Sequence, residues 1–144
     1  MFDFLPFLLT GFANLLNPQT MALAAVACVG GLIIGALPGL TATMGLALLT
    51  TMTLHMNSND AILILICTYV MAIYGGSRSA ILLNIPGTPS SAATALDGYV
   101  LARQGRAGEA MGLATIGSVL GTLVGILLLA VITPPLGEFA LSFG

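Results

Sequence analysis

The stretch Gly75–Gly98, GGSRSAILLNIPGTPSSAATALDG, decides how this chain folds. It sets serines, an arginine, an asparagine, two prolines and four glycines inside otherwise apolar sequence. Of the 144 residues, 58% are hydrophobic and only 6% charged, and the mean hydropathy is +1.09. A soluble domain devotes about a quarter of its residues to charge. Three basic side chains, five acidic ones and one histidine cannot solvate a globule of this length. The solvent for most of the chain is therefore lipid. The expected fold class is an all-α, polytopic membrane protein, because a helix satisfies its own backbone in hydrocarbon.

Within the polar stretch, Ser77–Ile85 is nine residues, about 14 Å if helical and so about half of a hydrocarbon core. Pro86-Gly87 is expected to end that helix, since proline disfavours helical backbone before it and glycine permits a sharp turn. Thr88 then offers an N-cap oxygen, and Pro89 takes the first helical position, where its missing N–H costs nothing. Pro89–Asp97 is another nine residues. The spacing predicts a re-entrant helical hairpin over 75–98: in to the midplane, a turn at Pro86-Gly87-Thr88, and out on the same side. The plain alternative is a polar loop in water, but Ala80-Ile81-Leu82-Leu83 gives such a loop four apolar residues that it does not need.

Backbone at that depth has to be buried in protein or line a wet cavity, because an unpaired peptide group in hydrocarbon costs several kcal/mol. A half-helix N-terminus there presents free N–H groups and positive partial charge, which suit a carboxylate. Carbonyls at the end of the preceding half-helix suit a cation. Candidate substrate-binding residues are Ser77, Thr88, Ser90, Ser91 and Thr94. Candidate cation-binding residues are Asn84, Ile85 and Gly87. Leu37-Pro38-Gly39-Leu40-Thr41-Ala42-Thr43 repeats the pattern, adding Thr41 and Thr43 to the first set and Pro38 and Gly39 to the second. Arg78, just inside the hairpin mouth, either neutralises an anionic substrate or snorkels to lipid phosphates and water. Asp97 is expected to cap or to pair near the same rim, with Arg103 as its partner.

Around this stretch the chain divides into apolar runs. Residues 1–18 read as an interfacial helix: Phe4, Leu5, Leu8, Leu9, Phe12, Leu15 and Leu16 recur at helical spacing, interrupted by Asp3, Thr10, Asn14 and Asn17. The start lacks the positive n-region of a secretory signal. Runs 21–37 and 40–54 are expected to be separate helices broken at Pro38-Gly39, rather than one interrupted and tilted element. Asn59 or Asp60 is expected to cap a span over 61–74 that ends at Gly75-Gly76. Residues 99–109 form a polar connection, and 110–133 the longest span, stopped by Thr133-Pro134-Pro135. Arg103 and Arg106 in that connection place it in the cytoplasm by the positive-inside rule.

Gly31, Gly35 and Gly39 recur every fourth residue, as do Gly117, Gly121 and Gly125. On a helix this spacing makes a groove free of side chains, along which another backbone can approach closely. Gly31, Gly35, Gly117, Gly121 and Gly125 are accordingly read as helix-packing positions. Packing alone identifies no function.

The same composition excludes several classes. With no lysine in the chain, nucleic-acid binding has no cluster of cations to work with. Cys28 and Cys67 lie in apolar runs and read as small hydrophobes, with no metal-ligand spacing around them. Gly75-Gly76-Ser77-Arg78-Ser79 lacks the last glycine of a nucleophile elbow, and His55, the single histidine, has no nucleophile to serve. No enzyme and no cofactor is expected.

Three blocks, GLIIGALPGLTATMGLALL, YGGSRSAILLNIPGTPSSAATALDGY and ARQGRAGEAMGLATIGSVLGTLVG, closely resemble the large membrane subunit, TctA, of bacterial tripartite tricarboxylate transporters. The resemblance runs from about residue 20 to the end and implies the N-terminal portion, one repeat, of a longer transporter. It implies secondary, cation-coupled uptake of tricarboxylates or related carboxylates across the bacterial inner membrane, in a multi-pass protein. A periplasmic substrate-binding protein and a small membrane subunit are the implied partners, besides the lipid bilayer. Its signature blocks fall on Gly35, Pro38, Gly39 and Thr41, and on Gly75, Gly76, Ser77, Asn84, Pro86, Gly87, Thr88, Ser90, Ser91, Thr94 and Asp97. Interior segments offer no obvious protonatable side chain, which favours Na⁺ as the coupling ion. A channel-like pore and a structural scaffold subunit are the alternative functions. Since one repeat cannot alternate access, the 144 residues alone are expected not to transport.

Overall fold

The computed structural model describes residues 4–142, and Asp3 of the expected interfacial helix lies outside them. Six α-helices and one short 3₁₀ turn follow in order: α1 (Phe4–Leu15), α2 (Pro18–Ala36), α3 (Ala42–Thr53), α4 (Ser58–Leu83), the turn Pro89–Ser91, α5 (Ala92–Arg103) and α6 (Ala107–Leu141). Among the described residues there is no strand. Three helices, α2, α4 and α6, are long and apolar enough to cross a membrane. The all-α, polytopic membrane class stands.

The helix boundaries follow local chemistry. Asn17 caps α2 by accepting from the Gln19 N–H, with Pro18 at the first position. The break at Pro38-Gly39 is present: α2 ends at Ala36, Gly39 takes φ +94°, and Thr41 caps α3 by accepting from the Met44 N–H. Only glycine adopts that backbone without a Cβ penalty.

Four boundaries depart from expectation. Asn57, not Asn59 or Asp60, precedes α4 as its N-cap. Gly75-Gly76 does not end a span, because α4 runs unbroken for 26 residues, about 39 Å. Both glycines are buried, so tertiary contacts offset their poor helix propensity. The polar connection shrinks to Gln104–Arg106, because α5 continues to Arg103. Finally, Pro134 and Pro135 sit inside α6 without stopping it. Each removes one N–H from the ladder, a loss that membrane helices accommodate by local adjustment.

The packing inverts that of a soluble protein. Among the described residues the buried apolar ones are Ala27, Ala42, Ala72, Ala80, Ile81, Ala95 and Ala110, only one of them large. Leucines, isoleucines and valines are exposed along α2, α4 and α6. Backbones can then approach closely, which is how helices associate when lipid is as apolar as leucine. A Cβ on Gly31 would lie 2.5 Å from the Thr68 carbonyl oxygen, and one on Gly75 2.5 Å from that of Leu32. A Cβ on Gly35 would overlap the Ala72 carbonyl. This α2–α4 seam is the centre of the fold. Gly117, Gly121 and Gly125 have nothing within 4 Å of an added Cβ, so their groove is unpacked among the described residues.

Candidate functional site

Where α4 ends, Asn84 takes the left-handed conformation (φ 58°) and its N–H returns to the Ala80 carbonyl. Asparagine is the residue besides glycine that best tolerates this backbone, so it stops the helix before Pro86 does. The chain then doubles back. A Cβ on Gly76 would lie 3.0 Å from Thr88 Oγ1, which places Thr88 seven residues below the end of α4, about 10 Å. Further on, Gly98 faces Ile81. The segment from Asn84 to Thr88 therefore descends along α4, and α5 climbs beside it again. Ser77–Leu83, expected as an inward half-helix reaching Ile85, is instead the end of the continuous α4, and the inward arm is the non-helical Asn84–Thr88.

Gly87 is the deepest point of closure. A Cβ there would overlap the Gly35 carbonyl oxygen and come 2.9 Å from Gly76 Cα and 3.1 Å from Ser79 Oγ. Three backbones, from α2, α4 and the loop, meet at three glycines. The Gly35 carbonyl belongs to the last turn of α2, so the end of the first interrupted helix meets the turn that precedes the second.

Thr88 and Ser91 close the start of the helix over this junction. The Thr88 N–H donates to Ser91 Oγ at 3.2 Å, and Ser91 Oγ donates to the Thr88 carbonyl at 2.7 Å. The Thr88 hydroxyl also meets Ser91 Oγ at 3.3 Å and Ser90 Oγ at 3.1 Å. Thr88 is 5% and Ser91 1% exposed, so these hydroxyls chiefly satisfy one another. Asn84, Ile85, Pro86, Pro89 and Ser90 are exposed around them, and Thr94 is half-buried.

The remaining candidates are placed less centrally. Ser77 donates to the Ile73 carbonyl of its own helix at 3.4 Å. Thr41 Oγ1 pairs with Thr43 Oγ at 2.8 Å at the start of α3, without a hydrogen bond to 84–91. Pro38 and Gly39 are exposed, and no atom lies within 4 Å of a Cβ on Gly39. Asp97 is exposed and does not pair with Arg103. Six residues apart on a helix, the two point about 120° away from each other. Among the described residues no group of three His, Cys, Asp or Glu could hold a metal.

Sequence reasoning missed a second polar cluster. Arg78 leaves α4 on the face opposite Gly76, since two residues turn a helix by about 200°. It stacks 4.1 Å over the Tyr74 ring and donates to Thr115 Oγ1 of α6 at 3.1 Å. Tyr74 Oη meets the same threonine oxygen at 2.9 Å. Tyr74 and Arg78 are one turn apart, which was visible in the sequence, but nothing there announced Thr115.

The chain is 42% identical over all of its 144 residues to an uncharacterized 52.8 kDa protein in the TAR-I ttuC' 3'region of Agrobacterium vitis. It spans 29% of the length of that relative. No solved structure gives a significant match. Residues 21–144, which hold the glycine seam and the doubled-back turn, match the family described as the tripartite tricarboxylate transporter TctA family. These are transporter components, not enzymes, and the chain belongs to that family.

Proposed function

We propose that this chain forms part of the membrane subunit of a secondary transporter that takes up tricarboxylates or related carboxylates. The family match carries this reading, and the junction of Gly35, Gly76 and Gly87 supports it. There the positive N-terminal end of the helix beginning at Pro89 lies beside the carbonyl end of α2, the pairing expected around an anion and its coupling cation.

Division of labour within the site follows from exposure. Thr88 and Ser91 hold the turn, while Ser90, Asn84 and the backbone from Asn84 to Thr88 meet the cargo. Asn84, Ile85 and Gly87 carbonyls take the cation, with Na⁺ favoured because α2, α4 and α5 offer no deep carboxylate there. The segment 84–98 is re-entrant, entering as extended chain and leaving as α5. All three cations, Arg78, Arg103 and Arg106, lie at the end of the bundle where α4 and α5 finish. The positive-inside bias makes that end cytoplasmic in the inner membrane. A periplasmic substrate-binding protein delivers the carboxylate, and a small membrane subunit completes the assembly.

The deciding experiment is uptake of a panel of di- and tricarboxylates by the full-length protein with its partners, with and without Na⁺. Accumulation against a gradient that needs Na⁺ is expected. Equilibration without accumulation would instead mean a channel-like pore. Unchanged uptake after Asn84→Ala and Ser90→Ala would remove the turn from the transport path and favour a scaffold role.

A further inference from the structure

We infer that Arg78, Tyr74 and Thr115 form the headgroup site of a bound anionic phospholipid, whose acyl chain lies in the groove between α4 and α6. Arg78 is half-buried in a helix long enough to span the membrane. It has no counter-ion: among the described residues the sole ion pair is Arg106–Glu109. Its Nε is buried with no hydrogen-bond partner. A tyrosine face and a shared hydroxyl do not neutralise a guanidinium, and a partly desolvated, uncompensated cation in a membrane is costly. The site therefore calls for an anion.

The groove specifies what the anion is attached to. Its volume is about 610 Å³, and Val70, Ile73, Val119 and Leu123 continue from Tyr74 and Thr115 along α4 and α6. Val70, Val119 and Leu123 are exposed, so the groove opens where hydrocarbon would lie. One cation at the head of an apolar channel complements an amphiphile with a single anionic head. A free carboxylate would leave the channel empty of anything to bind it.

Depth fits as well. Arg78 lies five residues before the end of α4, about 7.5 Å, within reach of the headgroup layer for a side chain that snorkels. That end also carries Arg103 and Arg106, and the cytoplasmic leaflet that the positive-inside rule assigns to it is the anionic one. The inference does not depend on which cargo is carried, because Gly76 and the turn at Thr88 occupy the other face of α4.

The test is retention of phosphatidylglycerol against phosphatidylcholine by the full-length protein, measured by native mass spectrometry and by titration in phosphatidylcholine nanodiscs. Arg78→Gln is expected to lower phosphatidylglycerol retention roughly tenfold, the effect of one lost charge-assisted contact, with phosphatidylcholine unchanged. Arg78→Lys keeps part of it. Retention by Arg78→Gln equal to the native protein overturns the inference. Displacement of the lipid by millimolar citrate overturns it too, and assigns Arg78 to a free carboxylate. If Arg78→Gln does not fold, Leu123→Trp, which fills the groove two turns away from Thr115, decides: lost retention supports the site and unchanged retention refutes it.

Discussion

Gly31-Gly35 and Gly117-Gly121-Gly125 carry the same four-residue spacing in two membrane-length apolar helices, yet they meet opposite fates. The first pair lies against the backbone of α4 at Thr68 and Ala72, so close that a methyl group has no room. The second set faces open space. Spacing licenses a close approach and does not supply the partner. What distinguishes the first ladder is that α4 answers it with its own small residues, Thr68, Ala72 and Gly75, on the facing surface. Along α6 the described residues offer no such complement.

The contrast is broken most directly at Gly35. Gly35→Val places a branched side chain into the Ala72 carbonyl, and α2 and α4 must separate. Overpacking a tight contact costs about 1–3 kcal/mol even where side chains can give, and here backbone would have to move. The full-length variant is expected to lose most of its folded, monodisperse fraction in fluorescence-detected size-exclusion chromatography. A native elution profile would mean that the seam is looser than three backbones in contact allow.

Gly87→Ala comes next. Its Cβ meets the Gly35 carbonyl and Gly76 together, but the loop can retreat outward where a helix seam cannot. Folding is expected to survive, with uptake lowered roughly tenfold, equivalent to about 1.4 kcal/mol of lost cargo stabilisation. Uptake at native level would separate the turn from transport. A finer comparison sets Thr88→Val against Ser90→Ala. Losing the Thr88 hydroxyl removes a cap interaction worth about 1 kcal/mol, and thermal unfolding should report it. Ser90 is exposed, so its loss should change stability by less than about 0.5 kcal/mol while weakening cargo binding. If both variants lowered stability alone, the hydroxyls would be purely structural.

The turn itself was readable from residue order. Thr88-Pro89 stated a capped helix start, and both residues take those positions, whereas the helix end expected at Pro86-Gly87 comes earlier, at Leu83. Pro38-Gly39-Leu40-Thr41 was equally explicit. Gly75-Gly76 was misleading because glycine has two uses: it breaks a helix exposed to water, and it permits contact in a helix buried against another. Sequence shows the residue, but only the facing Leu32 carbonyl and Thr88 show which use applies. Asn84 was overlooked as a stop for the opposite reason, since its role depends on one left-handed residue and not on a pattern. Arg78 could be seen as out of place in apolar sequence. That it leans on Thr115, 37 residues away, is a fact of tertiary structure.

Gly121→Ala adds a methyl group to open space, and alanine is the better helix former by about 1 kcal/mol. In the full-length protein the substitution should leave thermal stability unchanged or raise it slightly, while Gly35→Ala in the same background lowers it by at least about 2 kcal/mol. The same outcome is expected at Gly117 and Gly125. Should Gly121→Ala cost as much as Gly35→Ala, another helix must press on that ladder, and the difference between the two would vanish. Spacing alone would then be sufficient evidence of packing, and the open face of α6 would be a helix interface. A null result at Gly121 keeps the stricter rule: a glycine ladder buries itself only where the opposing helix is small enough to meet it.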